Sequence, residues 1–356
     1  MSIKVAVNGA GRIGRAFIKL AVNNPEIELV AINDLGDIDN IAYLIKHDSV
    51  YGEVQFPVEV SQDKKSLILN GLSVAFLSEK DPSLLPWKNL DIDVVVESTG
   101  FFTTYEKSKA HLDAGAKKVV VTAPMKDDPA GVAGATILMG VNEEEFPRCV
   151  ITSDASCTTN AASPLIAILD ETIGIEKAVL NTVHANTASQ PIVDSANTKD
   201  FREGRAGAYN IVPTSTGAAI AVTKAFPKLI GLFDGIAIRV PVIAGSIVDV
   251  TFISKRETSV EEVNEILRNA SKDKRWTEIF SVTEEQLVSS DIVGSKYGSI
   301  ADLKLTRVIG GNLVKVLAWY DNEMGYTNTL LAHVLKTGRS GSESLQDIRL
   351  RETQSR

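Results

Sequence analysis

The chain is poor in cysteine and histidine, because its 356 residues include two cysteines and four histidines. Two cysteines are too few for a disulfide framework, so we expect a reducing, cytoplasmic setting. The histidines and cysteines lack the spacing of metal ligands, and we expect no metal site. No apolar run reaches the length of a membrane span, and the first residues show no secretory signal pattern. We therefore expect no partnership with membranes.

The chain also lacks an excess of positive charge. Its formal net charge is -8, whereas a nucleic-acid-binding surface needs a basic stripe. We therefore expect no nucleic-acid partner, although a local basic pocket for a small phosphorylated molecule is compatible with this charge. The length of the chain favours two domains.

The two halves of the chain differ in their hydrophobic patterns. In the first half, short apolar segments such as residues 3–7, 27–32 and 93–97 alternate with helical patterns. This rhythm predicts a mostly parallel sheet with helices on both faces. In the second half, long strand-like runs outnumber helices, which predicts an α+β domain with one extended sheet.

We therefore predict an α/β protein with a Rossmann-type dinucleotide-binding domain and an α+β catalytic domain that contains a large mixed or antiparallel sheet. The first domain covers residues 1–155 and is completed by a C-terminal helix at residues 322–340. The catalytic domain covers residues 156–321, and residues 341–356 form a polar tail. Residues 195–213 form a long polar loop, which is typical of a functional segment.

One cysteine lies where a strand is predicted to end and a helix to begin. Cys157 stands in the sequence Ser-Cys-Thr-Thr-Asn at residues 156–160, between an apolar run at 149–152 and a helical pattern at 161–169. Unpaired N–H groups and the helix dipole favour negative charge at a helix start, so we expect a thiol that loses its proton easily. With a histidine nearby, such a thiol becomes an activated nucleophile. Cys149, inside the apolar run, is interpreted as a buried structural thiol.

A glycine-rich motif near the N-terminus predicts a cofactor site. Gly9, Gly11 and Gly14 form a G-x-G-x-x-G pattern between a predicted strand and a predicted helix, and Asp34 ends the second predicted strand. The glycines allow a tight turn, close approach of a pyrophosphate and contact between helix and sheet. A carboxylate at Asp34 bonds the adenosine ribose and repels a 2′-phosphate, which favours NAD over NADP.

Together these motifs resemble the phosphorylating glyceraldehyde-3-phosphate dehydrogenase family. The matching segments run in family order over almost the whole chain: residues 8–15, 156–160, 182–184, 213–219, 239–241 and 319–326. The resemblance implies NAD-dependent oxidation of glyceraldehyde 3-phosphate, with inorganic phosphate, to 1,3-bisphosphoglycerate through a cysteine thioester. It also implies a role in glycolysis and a homotetramer.

The resemblance further implies roles for individual residues. Cys157 is the nucleophile and His184 the base that takes the hydroxyl proton as hydride leaves. Two residues bind the substrate phosphate, namely Thr187 and Arg239. Four residues bind inorganic phosphate, namely Ser156, Thr158, Thr216 and Gly217. Contacts to the cofactor come from Gly9, Gly11, Arg12, Ile13, Gly14, Asp34, Lys80, Ser98, Thr99, Gly100, Thr122, Ser195, Asn322 and Tyr326.

Several positions depart from the family pattern. Asp154 stands where Asn is usual, and an ionised carboxylate close to the nucleophile would raise the pKa of its thiol. Asn186 replaces an aromatic residue, Ile220 replaces a common Lys, and Glu203 lies in the long loop. Ser195 stands where NAD-preferring members often carry an apolar or glycine residue, and this leads to the hypothesis that NADP is tolerated beside a preferred NAD.

Two alternatives stay open at this point. Erythrose-4-phosphate dehydrogenase, or another dehydrogenase of a phosphorylated aldehyde, shares the fold and the Cys/His pair. The presence of Thr187 and of the segment 214–219 favours the triose enzyme. A non-catalytic NAD-binding partner protein is the alternative from another functional class, and slow alkylation of Cys157 would favour it.

Overall fold

The computed structural model describes residues 2–198 and 200–341, and within these residues the chain divides into two compact units. The first unit contains residues up to 137, residues 142–155 and residues from 330 onwards. The second unit contains residues 138–141 and 156–329. Apart from Gly341, the predicted polar tail at residues 341–356 lies outside the described residues.

A sheet of nine strands, counted over the described residues, forms the centre of the first unit. Neighbouring strands are parallel along the order β10-β11-β9-β8-β1-β2-β7, and the antiparallel strands β6 and β5 extend the β7 edge. In chain order these strands are β1 (Ile3–Asn8), β2 (Ile27–Asn33), β5 (Val58–Val60), β6 (Ser66–Leu69), β7 (Leu72–Leu77), β8 (Val94–Glu97), β9 (Lys118–Val121), β10 (Gly134–Thr136) and β11 (Ile151–Ser153); a separate hairpin holds β3 (His47–Asp48) and β4 (Gly52–Glu53).

The inner strands of this sheet are apolar, and several of them end in a polar residue. Val94, Val95 and Val96 are all fully buried, as expected for a parallel strand that is covered on both faces. β1 lies between β2 and β8, so the sheet extends from β1 to both sides. The carboxyl ends of these three strands therefore flank a topological switch point. The Rossmann-type prediction is confirmed. The helices are α1 (Arg12–Ala21), α2 (Ile38–Lys46), α3 (Tyr105–Asp113) and the end of α8 (Met324–Arg339).

The second unit contains a mixed sheet with the order β13-β14-β12-β15-β19-β17-β16, and β18 also pairs with β19. Most of its pairs are antiparallel, but β12 is parallel to β14 and β16 to β17. The predicted mixed or antiparallel sheet is therefore confirmed. Its elements are α4 (Cys157–Thr172), β12 (Ile175–His184), β13 (Val212–Ser215), α5 (Ala218–Ala225), β14 (Phe233–Arg239), β15 (Ser246–Ser254), α6 (Val260–Ala270), β16 (Phe280–Thr283), α7 (Ser289–Ile292), β17 (Ser299–Asp302), β18 (Arg307–Ile309) and β19 (Leu313–Tyr320).

Helix α4 is the main apolar partner of this sheet. It packs against β12, β15, β17 and β19, and its residues from Thr158 to Leu169 are buried. Strand β15 buries every second residue, including Val248, Val250 and Phe252. This alternation is typical of a sheet with one covered face.

Three segments differ from the sequence predictions. The predicted helix at 161–169 already begins at Cys157, because the Ser156 hydroxyl caps it by accepting a hydrogen bond from the Thr159 N–H. The predicted strand at 149–152 is instead Ile151–Ser153, preceded by a 3-10 turn at Glu143–Arg148. The predicted loop at 195–213 holds a 3-10 turn, Phe201–Gly204, and the first residues of β13.

Candidate active site

The two predicted catalytic side chains meet in the second unit. His184 is the last residue of β12, and Cys157 is the first residue of α4, which packs against β12. The Cys157 Sγ lies 3.3 Å from the His184 Nε2. This is hydrogen-bond distance for sulfur, so the thiol and the imidazole can exchange a proton directly.

The protonation of the pair corrects one expectation from the sequence. Burial among protein atoms raises the pKa of the Cys157 thiol, while the Arg239 charge and hydrogen bonds from Thr158 lower it. The net direction is upward, so the prediction of an easily ionised thiol at the helix start is wrong for the free protein. The physical reason is that burial removes the water that would solvate a thiolate, and this cost exceeds the help from the helix start.

His184 is buried and held as a neutral imidazole. Burial, and next the nearby Arg239 charge, lower the pKa of His184 to about 3. Its Nδ1 lies 2.7 Å from the carbonyl oxygen of Ala185, which accepts, and 2.5 Å from the Nη1 of Arg239, which donates. These contacts allow two tautomers of His184. In the first the proton lies on Nδ1 and faces the Ala185 oxygen, and in the second it lies on Nε2 and faces the Cys157 sulfur. Only the first leaves Nε2 free to act as a base toward Cys157.

Strand register explains why Arg239 reaches the histidine. β12 and β14 are parallel, and His184 and Arg239 are register partners at their carboxyl ends. A guanidinium beside the Cys/His pair gives this edge of the sheet a fixed positive charge. The arrangement suits an anionic group on a substrate that also reaches Cys157.

Tyr320 is a buried residue of this cluster that the sequence reasoning did not select as a site residue. Its hydroxyl lies 2.8 Å from the Thr158 and the Thr182 hydroxyls, and its ring lies edge-on to His184 at 6.0 Å. Tyr320 ends β19 and Thr182 lies on β12, so the contact depends on sheet order, which no local motif reveals. In the free protein the Thr158 hydroxyl is bonded to Tyr320, and the backbone N–H of Thr158 donates to the Cys157 sulfur.

The other predicted anion residues also lie in the second unit. The Thr187 hydroxyl contacts the Ser189 hydroxyl at 2.9 Å, and the Thr216 hydroxyl accepts a hydrogen bond from the Ala218 N–H at the start of α5. Gly217 is exposed, and an added Cβ there would meet no atom within 4 Å. The turn before α5 therefore leaves room for an anion beside backbone N–H groups.

Asn322 is oriented by its neighbours in the second unit. Its Oδ1 accepts hydrogen bonds from the Gly245 N–H and the Ser246 hydroxyl, each at 3.1 Å. The side-chain amide oxygen is therefore occupied, and the NH2 group is the donor that faces other partners. Tyr326, which lies in α8, is buried. Ser195 is exposed in its loop.

The first unit carries a cavity of about 510 Å³ at the carboxyl ends of β1, β2 and β8. Six of the predicted cofactor residues line it, namely Gly9, Gly11, Asp34, Lys80, Ser98 and Thr99. Its other lining residues are Asn8, Asn33, Leu35, Glu79, Phe101 and Phe102, of which the sequence reasoning selected none as site residues. Asn8 and Asn33 are buried polar residues that end apolar strands, and this pattern was a usable signal.

The cavity fits a dinucleotide. An added Cβ on Gly11 would meet no atom within 4 Å, so this glycine keeps the approach to the α1 N-terminus open, where free N–H groups bind phosphates. Asp34 accepts hydrogen bonds from the Ala10 and Gly36 N–H groups at 2.6 and 2.8 Å, which orient its carboxylate at the cavity wall. Gly9 and Gly14 are in tight contact, since a Cβ on Gly14 would lie 2.0 Å from the Gly9 oxygen.

The remaining predicted cofactor residues of the first unit lie outside the lining of the cavity. Arg12 and Ile13 form the first turn of α1, and the Arg12 guanidinium is bonded to Asp48 at 2.9 Å. Their backbone N–H groups, rather than their side chains, are the candidate contacts. Gly100 follows the lining residue Thr99. The Thr122 N–H donates to the backbone carbonyl oxygen of Glu97, at the end of β8.

Two of the departures from the family pattern have local partners. Asp154 is fully buried, with an Oδ1 3.3 Å from the Nδ1 of His333, and His333 in turn contacts the Thr152 hydroxyl at 2.7 Å. This carboxylate therefore faces an imidazole of its own unit. The Asn186 side chain lies about 3.3 Å from the carbonyl oxygens of Gly207 and Val240, and so ties the long loop to the end of β14. Ile220 is exposed on α5.

The described residues offer neither a metal site nor a membrane-spanning helix. They contain no cluster of three or more His, Cys, Asp or Glu side chains that could hold a metal ion. Nor do these residues include a helix long and apolar enough to cross a membrane.

Comparison with known proteins gives concordant matches over both units. A model of the NAD binding domain of glyceraldehyde 3-phosphate dehydrogenase matches residues 3–105, and a model of its C-terminal domain matches residues 156–322. The chain is 45% identical to a glyceraldehyde-3-phosphate dehydrogenase of Buchnera aphidicola over 93% of this chain and 97% of the relative. It is 43% identical to glyceraldehyde-3-phosphate dehydrogenase 1 of Bacillus subtilis over 95% of this chain and 100% of the relative. It is also 44% identical to a glyceraldehyde-3-phosphate dehydrogenase of Clostridium pasteurianum, over 92% of this chain and 96% of the relative.

Proposed function

The chain belongs to the glyceraldehyde-3-phosphate dehydrogenase family, and we propose that it oxidises glyceraldehyde 3-phosphate to 1,3-bisphosphoglycerate with NAD and inorganic phosphate, as in glycolysis. The observation that carries the proposal is the Cys157–His184 pair, 3.3 Å apart, with Arg239 at the edge of the same sheet. A thiol, a base and a fixed cation are the groups that covalent oxidation of a phosphorylated aldehyde requires.

The reaction begins with attack of the Cys157 sulfur on the aldehyde carbon. The thiol proton passes to the His184 Nε2 and returns to the carbonyl oxygen, which gives a hemithioacetal. NAD, held by residues such as Gly9, Gly11 and Asp34, would supply the acceptor for the hydride that leaves the hemithioacetal carbon. His184 takes the hydroxyl proton in this step, and a thioester remains on Cys157. A phosphate oxygen then attacks the thioester carbon, the C–S bond breaks, His184 returns its proton to sulfur, and the phosphate's own proton leaves to solvent.

Arg239 links substrate binding to the state of the base. The substrate phosphate, bound by Arg239 and Thr187, draws the guanidinium toward itself and away from the His184 Nδ1. The Nδ1 proton then bonds to the Ala185 oxygen, and Nε2 is left unprotonated to act as the base. Inorganic phosphate binds at Ser156, Thr158, Thr216 and Gly217, where hydroxyl groups and N–H groups at two helix starts can donate.

NAD is the preferred cofactor. The oriented Asp34 carboxylate at the cavity wall bonds ribose hydroxyls and repels a 2′-phosphate. Lys80 also lines the cavity and offers a compensating charge, and Ser195 of a neighbouring subunit would donate to the 2′-phosphate. NADP is therefore tolerated at lower efficiency.

The working form is a homotetramer in the cytoplasm. The second-unit sheet exposes apolar residues of β12 and β14, and the loop between β12 and β13 exposes others: Val179, Ile192, Val193, Phe201, Tyr209, Ile211 and Ile236. Apolar area of this extent is typical of a surface that another subunit covers. Both cysteines are free thiols, which is consistent with a reducing compartment.

Steady-state kinetics with the purified full chain test the substrate and cofactor together. We expect turnover of glyceraldehyde 3-phosphate with NAD that depends on inorganic phosphate, slower turnover with NADP, and a preference over erythrose 4-phosphate. R239Q should reduce kcat/KM for glyceraldehyde 3-phosphate by about 100-fold but should change the small activity on unphosphorylated glyceraldehyde much less. An equal loss on both aldehydes would contradict the phosphate-binding role of Arg239.

A further inference from the structure

A buried chain of polar side chains runs from the core of the first unit to the wall of its cofactor cavity. We call it the Glu97 network, and it consists of Trp87, His111, Glu97, Asn8 and Thr99. The first four are at most 2% exposed. The Trp87 Nε1 lies 3.0 Å from the His111 Nδ1, and the His111 Nε2 lies 3.0 Å from the Glu97 Oε2. Neither His111 nor Glu97 is among the site residues predicted from the sequence.

The direction of every hydrogen bond in this network is fixed. An indole N–H only donates, so the His111 Nδ1 accepts from Trp87 and the His111 proton lies on Nε2, where it donates to Glu97. The Asn8 amide donates to the same carboxylate oxygen at 2.6 Å. The other oxygen accepts from the Thr99 N–H and hydroxyl at 2.8 and 2.5 Å. Glu97 thus accepts four hydrogen bonds, and all four partners donate.

The network ends on residues that line the cavity. Asn8 and Thr99 both belong to the lining, whereas Glu97 itself does not. Thr99 passes the constraint on, because its hydroxyl also accepts from the N–H of Phe101, another lining residue. Asn8 is held on its other side by Asn33, whose amide donates to the Asn8 Oδ1 at 2.7 Å.

The glycine loop rests on the same segment. An added Cβ on Gly9 would lie 2.8 Å from the Thr99 nitrogen, and the Ser98 hydroxyl donates to the Gly9 oxygen at 2.6 Å. Any shift of Ser98 and Thr99 therefore moves the loop that approaches the pyrophosphate. The position of Glu97 is transmitted to both sides of the cavity through hydrogen bonds and close backbone contact.

We propose that Glu97, oriented by His111 and Trp87, is a positioning residue that holds Asn8, Thr99 and the glycine loop in the geometry that binds NAD. The proposal rests on the binding of NAD to the first unit. Glutamine cannot replace Glu97, because its NH2 group would face either the Thr99 N–H or the donors of Asn8 and His111. In the E97Q variant without NAD, Asn8, Thr99 and the glycine loop relax from this geometry. Binding of NAD must then realign them, and the free energy that this requires lowers the affinity for NAD.

The test compares E97Q with a matched control in the same unit. H333Q removes another fully buried histidine that contacts a carboxylate, but His333 does not line the cavity. For each full-length protein we would measure the NAD dissociation constant by calorimetry, KM and kcat, and the melting temperature. E97Q should bind NAD about tenfold more weakly or worse, because a buried donor loses its acceptor. Its kcat at saturating NAD and its KM for the aldehyde should change less than about threefold, since Cys157 and His184 lie in the second unit.

H333Q should lower the melting temperature without weakening NAD binding. The proposal is overturned if E97Q binds NAD as tightly as the wild type, or if H333Q weakens binding equally. If E97Q does not fold, W87F decides, because phenylalanine keeps an aromatic ring at this position and removes the donor to His111. W87F should weaken NAD binding about threefold, and unchanged binding would overturn the proposal. A wild-type chain that does not bind NAD would instead contradict the proposed function itself.

Discussion

At the scale of single residues, the chemistry depends on how burial and charge act on Cys157 and His184. Burial keeps both groups neutral in the free protein, and Arg239 opposes this for the thiol but reinforces it for the imidazole. A neutral pair can pass a proton from sulfur to nitrogen only when the substrate gives the negative charge somewhere to go. The site is therefore set up for activation by substrate rather than for permanent reactivity. Slow alkylation of Cys157 in the free protein is then expected of the enzyme too, and it does not distinguish the enzyme from a non-catalytic NAD-binding protein.

This account predicts how alkylation of Cys157 depends on pH. Because the pKa of the thiol is raised, the rate with iodoacetamide should climb steadily between pH 7 and pH 9 without reaching a plateau. His184 should add no step in this range, since its pKa of about 3 leaves it neutral throughout. R239Q should slow alkylation at every pH, because it removes a charge that lowers the thiol pKa. A rate that is already constant from pH 6 to pH 9 would show a thiolate near neutrality and contradict the account. C149S is the control, since burial raises the pKa of Cys149 to about 11.

Residue identities were predictable from sequence where the motif is local. Gly9, Gly11 and Asp34 were found because their spacing alone defines the turn and the strand end. The direction of the Cys157 pKa was predicted wrongly, because the helix start is visible in the sequence but the burial around it is not. Tyr320 and Glu97 were missed for a related reason. Each has a partner on a strand that is distant in sequence, Thr182 for Tyr320 and Asn8 for Glu97, and sheet order brings them together.

At the scale of elements, helix α4 connects stability with reactivity. It begins at Cys157 because Ser156 caps it, and its buried side packs on the sheet that carries His184. The sequence predicted this helix four residues too short at its start, since Thr158, Thr159 and Asn160 have modest helix propensity and the cap is recognised only from its geometry. The extended sheet of the second unit was predicted correctly, because its strand-like apolar runs are long.

The capping serine gives a prediction with a built-in control. S156A and S259A each remove a serine hydroxyl that accepts an N–H at the start of a helix, α4 and α6 respectively, with distances of 3.2 Å in both. Each should lower the free energy of unfolding by about 1 kcal/mol, measured by denaturant titration. Only S156A should also reduce kcat/KM, because its helix begins at the nucleophile. An equal loss of activity in both variants would mean that stability alone is responsible.

At the scale of the whole molecule, the two units divide the work between cofactor binding and covalent chemistry. The first carries the cavity at the switch point of a parallel sheet, and the second carries the Cys157–His184 pair at the edge of a mixed sheet. The alternation of strands and helices predicted this division from the sequence. The surfaces that associate with other subunits were not predictable from it, because they depend on which apolar residues the fold leaves exposed.

The exposed sheet face of the second unit should be a subunit contact. Val179 is 61% exposed and, like Ile236, lines a depression of about 540 Å³. A buried carboxylate at such a contact is costly, so V179D should reduce the molar mass measured by light scattering below that of the wild-type protein, which we propose to be a tetramer. L84D is the control, since Leu84 is 69% exposed but belongs to the first unit. A tetramer that survives V179D unchanged would place the subunit contact elsewhere.

The most direct test of the central claim is a rapid-mixing measurement of NADH formation with and without inorganic phosphate. The chain is mixed with NAD and glyceraldehyde 3-phosphate, and absorbance is followed through the first turnover. Without phosphate, a burst of about one NADH per subunit should be followed by a stall as the thioester accumulates on Cys157. Added phosphate should restore steady turnover, and C157S should abolish the burst. Steady turnover without phosphate, or a burst that persists in C157S, would contradict covalent catalysis by Cys157 with phosphate as the acceptor.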